Sequence, residues 1–553
     1  LETLLNEPQP YDDGLFIAIN RKEKSLRNLH QELGSFVWSQ AFKALVEAMP
    51  YQSEESRKQM IFECRRNYPG CRSELNQIEE FGRSYCSNDA INWYTRDFFL
   101  YRTINRALRT EDILVLYTYR FFIIDMCKRL EELKESMTIR YPSSFHVYRG
   151  SKLSREEVEQ LRAGDLVATN GFFSCSRSLE IAQAFIGIDP ITGISPSEGR
   201  EDRQQYAIFE ININLTETPD IVVADVSDES VAPQENEILF SLGTTFAVQQ
   251  VTYDDEHHVW HIELILSTEV NHINQQYKKF IRDKLQEYDA TMFFGNCLGD
   301  ILGDYHGAMR FFYRQLRIKP IDDECRPNTL YHLARIYRCI GLYSQAINYF
   351  RRAMLLQRRR LPQSGYDYAQ TISGLAMLYS ETGHTKQSLD LQTKAVNIYR
   401  TYLPEHHEAM AIVYNRLAYV CYQEQQYERA ESLLSVALSV LKDKGPMNYT
   451  GYATSLDLMG TVKWTMGVKD EAVVYLTEAL KMRESFLTED HPLVARTCYT
   501  LAKLHAEMEK DHSTAMSYAL RALRIREAKL TKNHRELILS SELVQQLTQK
   551  NII

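Results

Sequence analysis

The sequence lacks several features that would place it in common functional classes. Its 553 residues contain no run of 18 consecutive apolar residues, so we expect no membrane span and no membrane partner. The net charge of −9 lacks the basic excess typical of nucleic-acid-binding proteins, so we expect no nucleic-acid partner either. Glycine-rich phosphate loops of Rossmann or P-loop type are also missing. A dinucleotide would therefore have to bind in a cleft of a different design.

Metal-binding patterns are missing as well. The ten cysteines are dispersed, without Cys-x-x-Cys and without histidine clusters at zinc spacing, so we expect no metal. Dispersed cysteines are mostly small core residues with free thiols, which favours a reducing compartment and a cytoplasmic protein. With 44% hydrophobic and 25% charged residues the composition is that of an ordinary globular protein, and 553 residues are too many for one core.

The first half of the chain changes its hydrophobic period near Tyr141-Pro142. Before that point apolar residues recur at helical spacing, and an apolar helix is predicted over Tyr117–Leu130. After it come short aromatic and β-branched segments that predict strands. A helical lobe followed by many strands predicts an α+β domain over residues 36–268. Residues 1–35 fit neither pattern, and one interpretation is that they are the remnant of an upstream domain.

The second half of the chain, residues 291–550, is repetitive. Small residues recur at steps of 42 or 43 in the second helix of each unit, at Ala346, Ser388, Ala430, Ala472 and Ala515. Residues of the turn between the two helices recur in the same register, at Gly341, Gly383, Gln425 and Gly467. No unit buries its own apolar face, so the units must stack. The pattern predicts an all-α solenoid of about six helical hairpins after a linking helix over residues 269–290. It resembles tetratricopeptide repeats (TPR) of the 42-residue kind seen in kinesin light chains.

Three short features inside the α+β domain carry candidate chemistry. Glu235 and Glu237 stand where a loop runs into an apolar strand, and in extended backbone they would face one exposed cleft together. Such a pair is more often a solvated rim. Arg149 stands at a strand end, where its planar guanidinium could bind a diphosphate with two parallel hydrogen bonds. The alternative is that Arg149 forms a salt bridge at a sheet edge. Ser174 and Ser176 present two hydroxyls on one side of an extended segment, the alternative being the N-cap of the following helix.

In chain order these features form a recognisable signature. Arg149-Gly150, Ser174-Cys175-Ser176 and Glu235-Asn236-Glu237 resemble the Arg…Ser-x-Ser…Glu-x-Glu signature of cholera-toxin-like mono-ADP-ribosyltransferases, above all the arginine-specific branch found in animals. The resemblance covers about residues 75–267 and extends to the segment Ala90–Thr95 in the helical lobe and to Ala184-Phe185 after the serines. It departs at Cys175, where the family usually has threonine, but both serines remain.

The resemblance implies a fold and a set of roles. The fold is an α+β mono-ADP-ribosyltransferase domain, with a helical lobe and a split β-sheet core, followed by an all-α TPR solenoid. NAD is the implied co-substrate, and NADP is a second candidate. Glu237 would stabilise the cationic ribose, Glu235 would engage the acceptor guanidinium, and Ser174 would brace Glu237. The implied cofactor-binding residues are Arg149, Gly150, Ser174, Ser176 and Phe185.

The expected function is transfer of ADP-ribose from NAD to arginine side chains of proteins. The implied partners are protein substrates with exposed arginine, and a protein or peptide ligand on the concave face of the TPR array. Two alternatives stay open. One is an NAD glycohydrolase, in which water is the acceptor. The other is a catalytically inactive TPR scaffold, against which the intact Arg149, Ser174 and Glu237 argue.

Overall fold

The structure is a computed structural model of the chain, which divides into two compact units, Leu1–Arg282 and Asp283–Ile553. Most of residues 1–35 and half of the predicted linking helix (residues 269–290) lie outside the described residues. The structure describes residues 26–29, 36, 42–46, 53–67, 72–96, 99–110, 112–141, 143–188, 204–269, 275, 279, 281–286, 289–318, 320, 322–362, 365–442, 449–508, 512–530, 532 and 534–550.

A helical lobe forms the first part of the first unit. The helix that begins at Phe99 buries one face, where Leu100, Ile104 and Leu108 recur at helical spacing. Aromatic rings fill the lobe: Phe81 stacks on Tyr85 with ring centroids 4.5 Å apart. The helices are α1 (Ser53–Asn67), α2 (Arg72–Ser84), α3 (Ala90–Thr95), α4 (Phe99–Thr110), α5 (Ile113–Thr118) and α6 (Arg120–Arg140).

Strands form the rest of the first unit, together with two short helices, α7 (Arg155–Gln160) and α8 (Leu179–Ile186). Helix α7 begins with a capping box in which Ser154 and Glu157 satisfy each other's backbone N–H groups. The strands are β1 (Leu26–Asn28), β2 (Phe145–Ser154), β3 (Leu166–Thr169), β4 (Phe173–Ser176), β5 (Gln204–Ile213), β6 (Val223–Asp225), β7 (Glu237–Phe240), β8 (Thr245–Asp254) and β9 (Val259–Leu266).

The strands of the described residues join in one nine-stranded sheet, in the order β1-β3-β8-β9-β5-β2-β4-β7-β6. All neighbours run antiparallel except β5 and β9, which run parallel. Phe173, Phe209, Phe240 and Phe246 are at most 3% exposed and form the centre of the sheet's hydrophobic core. Strand β1, which lies within residues 1–35, pairs with β3 and so belongs to this sheet. The core fixes β2, β4 and β7 as neighbours.

The second unit is a run of helical hairpins that confirms the predicted solenoid. Each described helix packs against the next one along the chain. The helices are α9 (Ala290–Asp300), α10 (Tyr305–Ile318), α11 (Arg326–Cys339), α12 (Tyr343–Arg358), α13 (Gly365–Glu381), α14 (Thr385–Tyr402), α15 (Glu408–Gln423), α16 (Tyr427–Leu441), α17 (Tyr449–Thr465), α18 (Lys469–Phe486), α19 (Pro492–Met508), α20 (His512–Lys529) and α21 (Arg535–Lys550).

The repeat positions have the structural roles that their spacing predicts. The small residues of the second helices, from Ala346 to Ala515, are fully buried, which lets the paired helices approach closely. The turn residues have the left-handed backbone that favours glycine, with φ of 81° at Gly341, 84° at Gly383 and 87° at Gly467. Gln425 adopts φ 60° at the same point of its own repeat. A side chain is therefore tolerated there at some cost in backbone strain.

A buried polar network ties three consecutive helices of the array together. Arg483 on α18 is fully buried and donates from Nη1 to Asp457 Oδ1 on α17 at 3.1 Å. Thr497 on α19 donates to the same oxygen at 2.8 Å, and Arg496 lies 3.2 Å from Oδ2. The arginines and these hydrogen bonds hold the pKa of Asp457 below its usual value although burial opposes this. The network joins neighbouring repeats through charged side chains in an otherwise apolar seam.

Candidate active site

The residues singled out in the sequence meet on three adjacent strands. Arg149 lies on β2, Ser174 and Ser176 on β4, and Glu237 at the start of β7, and these strands are neighbours in the order β2-β4-β7. The register places Ser176 opposite Tyr148 on one side and opposite Glu237 on the other. The pairing of strands therefore brings together side chains that are far apart in the sequence.

The guanidinium of Arg149 is held by contacts with Ser151 on its own strand and with residues of β4. Nε donates to Ser151 Oγ at 3.2 Å, and Nη1 donates to the backbone oxygen of Ser174 at 2.5 Å. The guanidinium carbon lies 4.5 Å from the centroid of the Phe173 ring, a cation–π contact. These contacts fix the plane of the guanidinium. The alternative for Arg149 was a salt bridge at a sheet edge, but none of these contacts involves a carboxylate.

The two serines of β4 have different local roles. Ser176 is buried, donates to the backbone oxygen of Glu235 at 2.7 Å and accepts from Ser178 N at 3.0 Å. It therefore braces the loop that carries Glu235. The N-cap of α8 is Ser178, which accepts from Ile181 N at 3.4 Å, so Ser176 is not the cap residue. Ser174 is half-buried and its hydroxyl hydrogen-bonds the Glu237 carboxylate.

Glu237 is only 8% exposed, so the expectation of an exposed-cleft carboxylate was wrong. Burial raises the pKa of Glu237, and the charge of Glu235 acts in the same direction. Hydrogen bonds from Ser174 and Ser230 and the charge of Arg149 act against this rise. A buried carboxylate with these partners is held in one place and poorly hydrated, so its charge acts strongly on a cation formed beside it.

Glu235 and Glu237 differ in backbone conformation, which corrects the sequence argument. Pro233–Glu235 form a single 3₁₀ turn, in which Glu235 N donates to Ala232 O at 3.0 Å. Asn236 follows with φ 48°, in the left-handed region that asparagine tolerates better than most residues. Strand alternation therefore does not set the direction of Glu235. The two carboxylates are nonetheless close enough for the charge of Glu235 to raise the pKa of Glu237.

Helix α8 lies directly against Gly150 and carries Phe185. A Cβ built on Gly150 would lie 2.0 Å from the backbone oxygen of Ala182, so only glycine lets α8 pack this closely on β2. Phe185, on the same helix, is 66% exposed. An exposed aromatic ring of this size is available to a ligand. Gly150 thus acts through the approach of α8 to the strand that carries Arg149.

Sequence reasoning missed Ser230 and Tyr94, two buried residues that interact electrostatically with Glu237. Ser230 is 7% exposed and supplies the second hydroxyl on the carboxylate. Tyr94 of α3 is 1% exposed and pairs with Asn105 through its hydroxyl, at 3.0 Å and 2.9 Å. Burial raises the pKa of Tyr94 well above its usual value, and the charges of Tyr101 and Glu237 act in the same direction. The only signal for Tyr94 was its position in the family-like segment Ala90–Thr95, and Ser230 carried none.

A polar cavity of about 600 Å³ lies between the helical lobe and the loop that precedes the two glutamates. Ser230 lines it and at the same time contacts Glu237, so the cavity adjoins the carboxylate. Its lining residues are Glu80, Ser84, Asn88, Asp89, Asn92, Trp93, Arg96, Asp228, Glu229 and Ser230. Four of them are acidic and Arg96 is basic, so the side chains that line the cavity carry a net negative charge.

No group of three or more His, Cys, Asp or Glu side chains in the described ranges is arranged to hold a metal ion. Within the same ranges, every helix is too short or too polar to cross a bilayer.

The chain was compared with known proteins in three ways. Residues 11–269 match the family model described as NAD:arginine ADP-ribosyltransferase. The tetratricopeptide repeat model matches four overlapping stretches, 325–401, 367–443, 409–485 and 451–528. No curated protein matches the chain.

Parts of the chain are similar to solved structures of other proteins. Vis toxin, an ADP-ribosyltransferase of Vibrio splendidus, is 19% identical and aligns over 40% of this chain and 90% of its own, with a TM-score of 0.24. BtubC of P. vanneervenii is 21% identical over 41% of this chain and 89% of its own, with a TM-score of 0.31. A kinesin-light-chain-type protein of Podosopora anserina with nearly identical TPR-like repeats is 18% identical over 39% and 100%, with a TM-score of 0.29.

The family match and the fold agree on each half of the chain. Enzymes of the matched family transfer ADP-ribose from NAD, and tetratricopeptide repeats mediate protein interactions. The chain thus contains an NAD:arginine ADP-ribosyltransferase domain, which is followed by an array of tetratricopeptide repeats.

Proposed function

We propose that the enzyme transfers ADP-ribose from NAD to arginine side chains of proteins and that it belongs to the animal-type, cholera-toxin-like branch with the Arg-Ser-Glu signature. One observation carries the proposal: Arg149, Ser174 and Glu237 meet on the adjacent strands β2, β4 and β7. NAD is the proposed co-substrate, and NADP is a second one to test.

The chemistry requires a carboxylate beside the ribose. When the bond between ribose and nicotinamide breaks, positive charge develops on the ribose, as in glycoside hydrolysis. The Glu237 carboxylate, buried and held by two serine hydroxyls, stabilises that charge more than the ground state. A carboxylate has about four acceptor sites, so Glu237 can also accept a hydrogen bond from a ribose hydroxyl in the proposed complex. Glu237 is therefore the proposed catalytic residue, and Ser174 braces it and the ribose.

Binding of the dinucleotide is assigned to residues of β2, β4 and α8. Arg149 is fixed by Ser151 and by the backbone of Ser174, and its remaining N–H groups can form charge-assisted hydrogen bonds with a diphosphate. Gly150 lets α8 lie close to β2, which supports the exposed Phe185 as the residue that packs on the nicotinamide. Ser176 contributes by holding the backbone of Glu235.

The acceptor is assigned to Glu235. A protonated guanidinium is a poor nucleophile, so a second carboxylate that binds it favours attack by its nitrogen. Glu235 is half-buried and close enough to Glu237 to affect its pKa, and its backbone is braced by Ser176. The negative cavity beyond Ser230 adds to the attraction for a basic protein substrate. In the second unit, the concave face of the TPR array is the proposed binding surface for a protein or peptide ligand.

The experiment uses NAD labelled in the adenine ring, with agmatine or polyarginine as acceptor. Wild type is expected to release nicotinamide and to label the acceptor, whereas Glu237→Ala should do neither. Glu235→Ala should still hydrolyse NAD but lose transfer to the acceptor. Release of nicotinamide without labelling by wild type would identify an NAD glycohydrolase, and no release at all would leave an inactive scaffold. Equal loss of hydrolysis and transfer in Glu235→Ala would refute the separate roles of the two glutamates.

A further inference from the structure

The loop of residues 226–231 joins the helical lobe to the catalytic glutamate, and one end of it is tied to Glu237 itself. Val226 N donates to the backbone oxygen of Glu237 at 3.0 Å, and Val226 is fully buried. Val226 O in turn accepts from Glu229 N at 3.0 Å and from Ser230 N at 2.8 Å. These bonds form a compact turn. Any displacement of the turn is therefore transmitted to the first residue of β7.

The other end of the loop is fastened to the helical lobe. Arg129 of α6 forms a forked pair with Glu229: Nε donates to Oε2 at 3.1 Å, and Nη2 contacts Oε1. A two-point contact of this kind restrains orientation as well as distance. Asn92 donates to the backbone oxygen of Glu229 at 3.4 Å, and Val231 N donates to Thr95 Oγ1 at 3.2 Å. The lobe thus holds the loop through α3 and α6.

Ser230 lies between these two anchors. It is 7% exposed, and its oxygen accepts from Ala232 N at 3.2 Å. Its hydroxyl proton is therefore directed elsewhere, and the hydroxyl hydrogen-bonds the Glu237 carboxylate, which lowers the pKa of Glu237. A hydroxyl between two fixed neighbours has little freedom to rotate away from the carboxylate.

We infer that Arg129, acting through Glu229 and Ser230, is a positioning residue that fixes the Glu237 carboxylate in its catalytic orientation. The inference rests on the proposed function, in which Glu237 is the catalytic carboxylate. The side chains of Arg129 and Glu229 are 27% and 24% exposed, so solvent screens their attraction and their effect on stability is small. Their effect on catalysis is geometric, because a displacement of about 1 Å can lower a rate by up to about 100-fold.

The test compares Arg129→Ala and Ser230→Ala with wild type in the full chain, by nicotinamide release from NAD. Both variants are expected to lose roughly 10-fold to 100-fold in kcat with the KM for NAD unchanged, because only the carboxylate is displaced. The acid limb of the pH profile should move to higher pH, because the ionised carboxylate loses a hydrogen bond. Besides Ser230, the groups that act on the pKa of Glu237 are Glu235, Arg149 and Ser174. The charge of Glu237 in turn raises the pKa of Tyr94 and of Cys175.

Two controls separate positioning from a structural role. Glu132→Ala removes the other carboxylate on Arg129 without touching the loop, and it should keep the wild-type kcat. The double variant Arg129→Ala/Glu229→Ala should lose no more than Arg129→Ala alone, since both changes break the same link. Ser230→Ala leaves the lobe untouched, so it tests the link even where Arg129→Ala unfolds the lobe. An unchanged acid limb and kcat in Ser230→Ala would overturn the inference.

The same assay distinguishes failure of the inference from failure of the proposed function. When wild type releases nicotinamide and Glu237→Ala does not, the catalytic assignment stands, and normal turnover by the Arg129 and Ser230 variants would refute the positioning role alone. When Glu237→Ala keeps wild-type turnover, both are refuted together.

Discussion

Replacement of Gly150 by alanine tests the packing on which the cofactor side of the site depends. The added Cβ would lie 2.0 Å from the backbone oxygen of Ala182 and 3.0 Å from Ile186 Cγ2. Carbon and oxygen atoms that are not bonded do not approach closer than about 3 Å, so α8 must move away from β2 by about 1 Å. The atom in the way belongs to the backbone, so rotation of a side chain cannot relieve the contact.

The cost of Gly150→Ala follows from that displacement. Overpacking of this kind costs about 1–3 kcal/mol in the free energy of unfolding. A shift of about 1 Å in the helix that carries Phe185 should also lower nicotinamide release by up to about 100-fold. Urea unfolding gives the first quantity and the NAD assay gives the second.

Gly171→Ala is the matched control for this prediction. A Cβ on Gly171 would lie 3.6 Å from its nearest neighbours, atoms of Asn105 and Leu108, which is an ordinary contact distance. Gly171→Ala should therefore keep wild-type stability and activity. If Gly150→Ala behaves like Gly171→Ala in both assays, the close approach of α8 to β2 is not what glycine provides at position 150.

Three further predictions concern the repeat array, each measured by urea unfolding. Asp457→Asn should cost about 3–5 kcal/mol, because the fully buried Arg483 loses its counter-charge, whereas Glu484→Gln, in a half-exposed pair, should cost at most about 1 kcal/mol. Gln425→Gly should gain about 1 kcal/mol by relieving φ 60°, and Gln425→Ala should not. Burial lowers the pKa of His491 from 6.5 to about 3, so the unfolded chain takes up a proton first and stability should fall by about 1.4 kcal/mol per pH unit below about 6.5. His491→Asn, which can keep the cap on Leu493 N, should remove that contribution. For each variant, a midpoint of urea unfolding that does not change in the stated direction would refute the prediction for that variant alone.

The sequence predicted the repeat array well because its determinants are local and recur. The small residues from Ala346 to Ala515 are fully buried at the same position of five successive hairpins. The same local feature therefore recurs five times along the chain. The turn positions are equally local, and even Gln425 keeps the backbone that its place in the repeat predicts. By contrast, the helix predicted over Tyr117–Leu130 is interrupted at Tyr119. The Tyr119 hydroxyl contacts Cys64, 55 residues earlier, and a contact of that range leaves no periodic signal.

The site was predictable only where the family signature names the residue. Arg149, Ser174 and Glu237 stand on strands whose neighbours follow from the sheet order, which the sequence alone did not provide. The direction of Glu235 was argued from strand alternation, but a 3₁₀ turn and the left-handed Asn236 set it. The link from Arg129 to Glu229 spans 100 residues and joins the lobe to the loop. No spacing rule connects two positions that become neighbours only after the lobe packs on the sheet.

The central claim is that Glu237 acts on the transition state whereas Arg149 binds the dinucleotide. The most direct measurement is the affinity for NAD, by calorimetry, beside the rate of nicotinamide release, for wild type, Glu237→Gln and Arg149→Ala. We predict that Glu237→Gln binds NAD as wild type does but does not release nicotinamide, and that Arg149→Ala loses affinity. Wild-type turnover by Glu237→Gln would contradict the claim.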